Sequence, residues 1–131
     1  TLAAVDFSAA VGDVTAVATM EGRLLDAPAD EIAAAVACVT AALAHPLLRR
    51  ASVAARLARE TPLAIALDDG TLVEGVVDAA FEESTGWTVV DFKTDVEFGT
   101  KLPEYQRQVA LYARAIAQAT GKPTRAVLLQ V

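Results

Sequence analysis

The sequence predicts an α/β layer arrangement: helices first, then a three-stranded antiparallel meander, a further helix and a last strand. Three observations carry that reading. The apolar spacing is helical up to residue 60 and turns strand-like from Pro62 to Lys93. The polar segment Glu82-Glu83-Ser84-Thr85-Gly86, closed by a glycine, divides two strongly strand-forming runs. A long helical stretch, ended by Gly121 with Pro123 just beyond, then separates those runs from an apolar tail.

Taken in order, residues 1–25 mix small apolar residues with isolated charges and read as a short helix or loop region. Ala27-Pro28-Ala29-Asp30 is a break followed by an N-cap candidate, with Glu31 in the first turn. Residues 32–44 are nearly all Ala, Val, Leu and Cys, which predicts a helix apolar on most sides and therefore buried. His45-Pro46 closes it, because the residue before a proline resists the α region. Residues 47–60 resume as a second helix, with Arg49, Arg50, Arg56 and Arg59 as its charged positions. Residues 62–67 form a strand, Asp68-Asp69-Gly70 a turn, and residues 71–81 and 87–93 the next two strands. Residues 101–120 form the long helix. Residues 125–131 form a final strand that can join the sheet after a helical crossover.

The 131 residues suit one domain with a real core. At 54% hydrophobic and 21% charged, the chain is globular and not disordered. A net charge of −6 argues against a free-standing nucleic-acid binder, so such a role needs a local basic patch or help from another domain. The single cysteine, Cys38, excludes an internal disulfide and any four-cysteine cluster, and its alanine-rich setting predicts a small buried residue. The first residues carry no initiator Met and no basic segment before an apolar run, which suggests a fragment or processed product. No stretch approaches the roughly 20 apolar residues of a membrane span, so the expectation is no membrane partner and a reducing, cytoplasmic setting.

The chemistry-bearing stretch is Val89-Val90-Asp91-Phe92-Lys93-Thr94-Asp95, with Gly75-Val76-Val77-Asp78 before it. Asp91 and Lys93 are two apart, so on a strand a carboxylate and an ammonium project side by side. If the hairpin is symmetric about Ser84 and Thr85, partners have numbers summing to 169, and Asp78 faces Asp91 with Cβ atoms about 5 Å apart. Two carboxylates at that spacing repel unless a cation or a proton sits between them. An Asp and a Lys on a strand can equally be its solvated face. Here, however, both acids interrupt apolar runs, and the two interruptions fall opposite each other. On the long helix, Tyr105, Gln108 and Tyr112 lie at i, i+3 and i+7, with Arg107 and Arg114 on a neighbouring strip. Either the tyrosines pack on the sheet, or a hydrogen-bonding strip faces the cleft of Asp78 and Asp91. His45, the only histidine, reads first as a helix-end residue, and Glu60 and Glu74 as surface acids. Gly121-Lys122-Pro123-Thr124 is not a phosphate loop, because Ile116 stands where the earlier glycine is required.

Taken together, Gly75-Val76-Val77-Asp78, Val90-Asp91-Phe92-Lys93-Thr94-Asp95, and Tyr105-Gln106-Arg107-Gln108 followed by Tyr112-Ala113 resemble the PD-(D/E)xK nuclease superfamily. More closely, they are similar to the RecB-type nuclease domain of UvrD-like helicase–nucleases of the AddA and RecB kind. His45-Pro46-Leu47-Leu48-Arg49-Arg50-Ala51 resembles that family's first motif. The resemblance covers about residues 43–131 and leaves 1–42 as a helical lead-in to one nuclease domain, the C-terminal part of a larger helicase–nuclease. It implies a restriction-endonuclease-like core, with Asp78 and Asp91 as metal ligands, Lys93 as the catalytic lysine and His45 as a further ligand. Gln108 and Tyr112 match the Gln–Tyr helix motif near the substrate, with Tyr105, Arg107 and Thr94 beside it. Glu60 sits where the family often has a glutamate. Val77 stands where the superfamily name has proline, a common departure in RecB-type members.

The resemblance further implies Mg²⁺, with Mn²⁺ as a substitute, and no iron–sulfur cluster, since only Cys38 is present. The chemistry agrees. Mg²⁺ takes one or two carboxylates with waters and phosphate oxygens, lowers the pKa of bound water and screens a scissile phosphate, while a lysine beside it offsets developing charge. The implied function is Mg²⁺-dependent hydrolysis of DNA phosphodiester bonds in end processing and recombinational repair, with exonuclease action ahead of endonuclease action. Its partners are single-stranded DNA ends and a helicase domain or partner subunit. Two alternatives stand beside it: a degenerate nuclease fold that guides DNA or supports assembly, and a plain α/β interaction domain with surface acids.

Overall fold

The computed structural model describes residues 1–131, the side chains of Asp95, Val96, Glu97 and Thr100 excepted. The chain divides into two compact units, Thr1–Val53 and Ala54–Val131.

The first unit is helical. A 3-10 turn, Leu2–Ala4, precedes α1 (Val11–Leu24), α2 (Ala29–Ala44) and α3 (Pro46–Ser52). At the start of α1, Asp13 accepts the Ala10 backbone N–H at 3.2 Å, and Arg23 lies in its last turn, so both ends suit the helix dipole. This gives definite helix to the segment whose spacing left helix and loop open. α2 opens on Pro28 with Asp30 and Glu31 in its first turn, and ends at His45, whose extended ψ of 135° is what the following proline requires. Pro46 then starts α3 at a position where its missing N–H costs nothing, and α2 and α3 meet at a 74° bend. Among the described residues, no single helix is long and apolar enough to cross a membrane.

Two expectations fail in this unit. α2 buries only Val39 and Ala42, and Cys38 is exposed. The physical reason is that a single stripe of α2 is covered: Val39, flanked by Val36 and Leu43, packs with Val5 and Val14. A helix turns about 100° per residue, which carries Cys38 off that stripe.

The second unit is a four-stranded sheet with one long helix. β1 (Arg56–Ala66), β2 (Leu72–Glu83) and β3 (Gly86–Lys93) form an antiparallel meander. α4 (Asp95–Thr120) then carries the chain back so that β4 (Thr124–Gln130) lies parallel to β3, in the order β1-β2-β3-β4. Ala79 pairs with Val90, Ala80 with Val89 and Glu83 with Gly86, all summing to 169. Gly86 sits at φ 127° beside the Pro123 carbonyl, where a Cβ has no room. The core on one face joins Val77, Ala80 and Val89 to Val109, Tyr112, Ala113 and Ile116 of α4.

The helix expected over residues 47–60 is corrected: α3 stops at Ser52, and β1 begins at Arg56. The arginine spacing there suits a helix locally, but pairing of residues 56–59 with residues 79–82 of β2 overrides it. The long helix also starts earlier than expected and breaks at Lys101 (φ −129°, ψ 27°), just ahead of Pro103.

One irregularity prepares the site. Val77 and Ala80 both join the core against α4, although three positions apart on a regular strand would face opposite ways. The ladder lapses between Arg59–Ala79 and Thr61–Val77, where Glu60 takes a left-handed φ of 45°. β2 therefore changes face at Asp78.

Candidate functional site

Asp91 lies near the C-terminal end of β3 and is only 5% exposed, on a strand flanked by β2 and β4. Asp78 lies on β2 at the next register step after the Ala79–Val90 pair. There its Oδ2 accepts the backbone N–H of Phe92 at 2.8 Å, which fixes the carboxyl against β3. The two carboxyl groups touch. Burial pushes the Asp91 carboxyl up from 3.8 to about 6, and the adjoining Asp78 adds to the rise while Lys93 offsets part of it.

Lys93 Nζ stands 3.0 Å from Asp91 Oδ2, with its side chain only 15% exposed. That oxygen is fully buried, yet among the described residues no well-directed hydrogen bond reaches it. A buried carboxylate oxygen with unfilled acceptor capacity, beside a second carboxylate, is a donor set suited to a hard cation. Among the described residues of this unit, no third His, Cys, Asp or Glu joins the pair. The ammonium also lies over the Tyr105 ring, 4.3 Å from its centroid. The Lys93 carbonyl accepts the Val131 N–H at 2.9 Å, which ties the strand end to the chain's last residue.

α4 brings the remaining residues alongside. Tyr112 is buried in the core, and its phenol is raised above the ordinary range by burial and by the charge of Asp91. Gln108, one turn earlier and exposed, hydrogen-bonds the Tyr112 hydroxyl. Tyr112 packs on the sheet, and its hydroxyl lies within the field of Asp91 and Asp78. Arg107 and Thr94 are exposed. Arg114 reaches a different partner, Asp68 at 3.6 Å, on the surface.

His45 belongs to the first unit and caps α3, its Nδ1 accepting the Leu47 N–H at 3.1 Å. A neutral ring so engaged carries its proton on Nε2. In this conformation His45 is a helix cap, and ligation through Nε2 requires that bond to break.

Gly75 has a role that the sequence pattern leaves unassigned. A Cβ there would overlap the Tyr112 hydroxyl and ring, so the glycine lets α4 settle on β2. The face change at Asp78, opposite Glu60, is likewise invisible in the sequence: no glycine or proline marks it.

No family model matches the chain. Relatives named as subunits of an ATP-dependent helicase/nuclease do match it. That of Desulforamulus reducens is 29% identical over 103 residues, covering 66% of this chain. That of Carboxydothermus hydrogenoformans is 40% identical over 68 residues, 49% of the chain, and that of Clostridium kluyveri 34% over 71 residues, 53% of the chain. The chain is similar to a segment of these helicase/nuclease subunits. The matches span only 8%, 6% and 6% of those relatives' own lengths, so the chain corresponds to a small part of much longer proteins.

Proposed function

We propose that this chain is a metal-dependent DNA nuclease domain of the PD-(D/E)xK type, with a restriction-endonuclease-like core, that hydrolyses phosphodiester bonds. The observation that carries the reading is the meeting of Asp78, Asp91 and Lys93 at one place on the sheet. The relatives' name supports it, as does their far greater length, which leaves room for a motor that this segment does not supply. In this reading the domain works beside a helicase, on single-stranded DNA ends, in repair and recombination, as an exonuclease rather than an endonuclease. Residues 43–131 supply the nuclease core, and 1–42 the helical lead-in.

Asp78 and Asp91 would hold Mg²⁺, or Mn²⁺ in its place. Such an ion, when bound, lowers the pKa of a coordinated water and screens the scissile phosphate. The chain's own residues do the rest. The backbone N–H of Phe92 holds the Asp78 carboxyl in place, so the pair is preorganised. Burial around Asp91 excludes water and strengthens every charge interaction there. Lys93, aimed from the same strand face, offsets the negative charge that develops on the phosphate and orients the attacking water. Gln108, exposed one turn from Tyr112, can reach a nucleotide without leaving the helix. His45 enters this reading through the family resemblance alone.

The test is cleavage of end-labelled single-stranded DNA by the 131-residue chain in Mg²⁺ or EDTA, beside Asp91→Ala. Cleavage that needs Mg²⁺ and vanishes in the variant is the expected result. Tight Mg²⁺-independent DNA binding with no cleavage would instead favour the guiding module.

A further inference from the structure

A lysine side chain has four rotatable bonds and loses substantial rotamer freedom when its ammonium is held in one place. Lys93 therefore needs partners that fix it. Asp91 is one, at 3.0 Å. That partner is compromised in the proposed reaction: a hard cation takes oxygen ligands, so it competes with Lys93 for the Asp91 carboxylate. An aromatic face has no such conflict. Its quadrupole attracts an ammonium and offers nothing to a hard cation. The Lys93 ammonium lies 4.3 Å from the Tyr105 ring centroid, and Tyr105 is half-buried in the first turn after the break at Lys101 and Pro103. The break redirects α4 at the point where the helix passes the end of β3.

We propose that Tyr105 is a positioning residue for Lys93, its ring face holding the ammonium in reach of the carboxylate pair when Asp91 is engaged elsewhere. The contact stands on geometry; its catalytic consequence rests on the nuclease reading. The hydroxyl of Tyr105 has no part in it, so phenylalanine serves equally and leucine, which fills similar space without a quadrupole, does not.

The experiment uses the whole chain with ¹³C-labelled lysine, which gives three ε-methylene signals, from Lys93, Lys101 and Lys122. Lys93→Gln assigns the first. The expected result is an upfield, ring-current-shifted Lys93 signal in wild type, kept in Tyr105→Phe and lost in Tyr105→Leu. In Mg²⁺-dependent cleavage, Tyr105→Leu lowers kcat about three- to thirty-fold, equivalent to roughly 0.6–2 kcal/mol, with KM for DNA nearly unchanged; Tyr105→Phe stays within about twofold. A Lys93 signal identical in wild type and Tyr105→Leu overturns the contact whatever the cleavage assay reads. Leucine and phenylalanine variants that lose kcat equally overturn the positioning role. A shifted signal in a chain that cleaves nothing overturns the nuclease reading and not the contact.

Discussion

Replacing Asp91 by asparagine should make this protein more stable at neutral pH, and by an amount that changes with pH. The Asp91 carboxyl is buried beside Asp78 and is raised from 3.8 to about 6. At ~1.4 kcal/mol per pKa unit, ionising it in the folded chain costs on the order of 3 kcal/mol. The unfolded chain loses this proton near pH 4 and the folded chain near pH 6, so between those values the folded state binds more protons. Stability contributed by this group therefore falls as pH rises through that window, and is flat below and above it. Asparagine has no such proton. Glu21, Glu82 and Asp69, whose carboxyls are lowered by their hydrogen bonds, affect both proteins alike and cancel in the difference. Urea denaturation of wild type and Asp91→Asn in EDTA, at pH values from about 4 to 8, measures it. The stability of the variant relative to wild type should climb by roughly 3 kcal/mol between about pH 4 and 7 and then level off. The Lys93 ion pair forms only as Asp91 ionises and is already counted in that shift, where it opposes the larger effect of burial. A difference that is flat, or that falls with pH, would refute both the burial of the carboxylate and the cost assigned to it.

Other consequences follow from the same geometry. In the proposed nuclease, Mg²⁺ competes with the proton on Asp91, so its affinity by calorimetry should drop about tenfold per pH unit below about 6; an affinity constant from pH 5 to 7 would contradict this. Gly75→Ala should cost about 1–3 kcal/mol through overpacking against Tyr112, and clearly less in a Tyr112→Ala background; equal costs in both backgrounds would remove Tyr112 as the obstacle. Glu60, at φ 45°, should tolerate glycine better than alanine by about 1 kcal/mol in thermal melts; alanine as stable as glycine would speak against the left-handed conformation.

The hairpin was legible because its signals are local. A polar loop with a glycine at its end, between two β-forming runs, fixes where pairing starts, and the period of two carries the register out to Ala79 and Val90, one step short of the acids. The end of α2 at His45 was legible for the same reason, since proline constrains its neighbour. β1 was not: residues 56–59 lie where arginine spacing imitates a helix, and only pairing with β2 decides the matter. Cys38 and most of α2 were misjudged because an apolar helix does not say which stripe is covered. The seat of Tyr112 on Gly75 joins residues 37 positions apart in the sequence, and nothing local announces it. Charge and period together locate the Asp78, Asp91 and Lys93 set; the change of face at Asp78 and the Tyr105 contact need the folded sheet.

The most direct test of the central claim separates holding the ion from doing the chemistry. Mg²⁺ binding by calorimetry and cleavage of single-stranded DNA should be measured together on wild type, Asp91→Ala and Lys93→Ala. The account predicts that Asp91→Ala loses both, while Lys93→Ala keeps Mg²⁺ binding and loses cleavage. Cleavage that survives in Asp91→Ala, or Mg²⁺ binding that Asp91→Ala leaves unchanged, would contradict it.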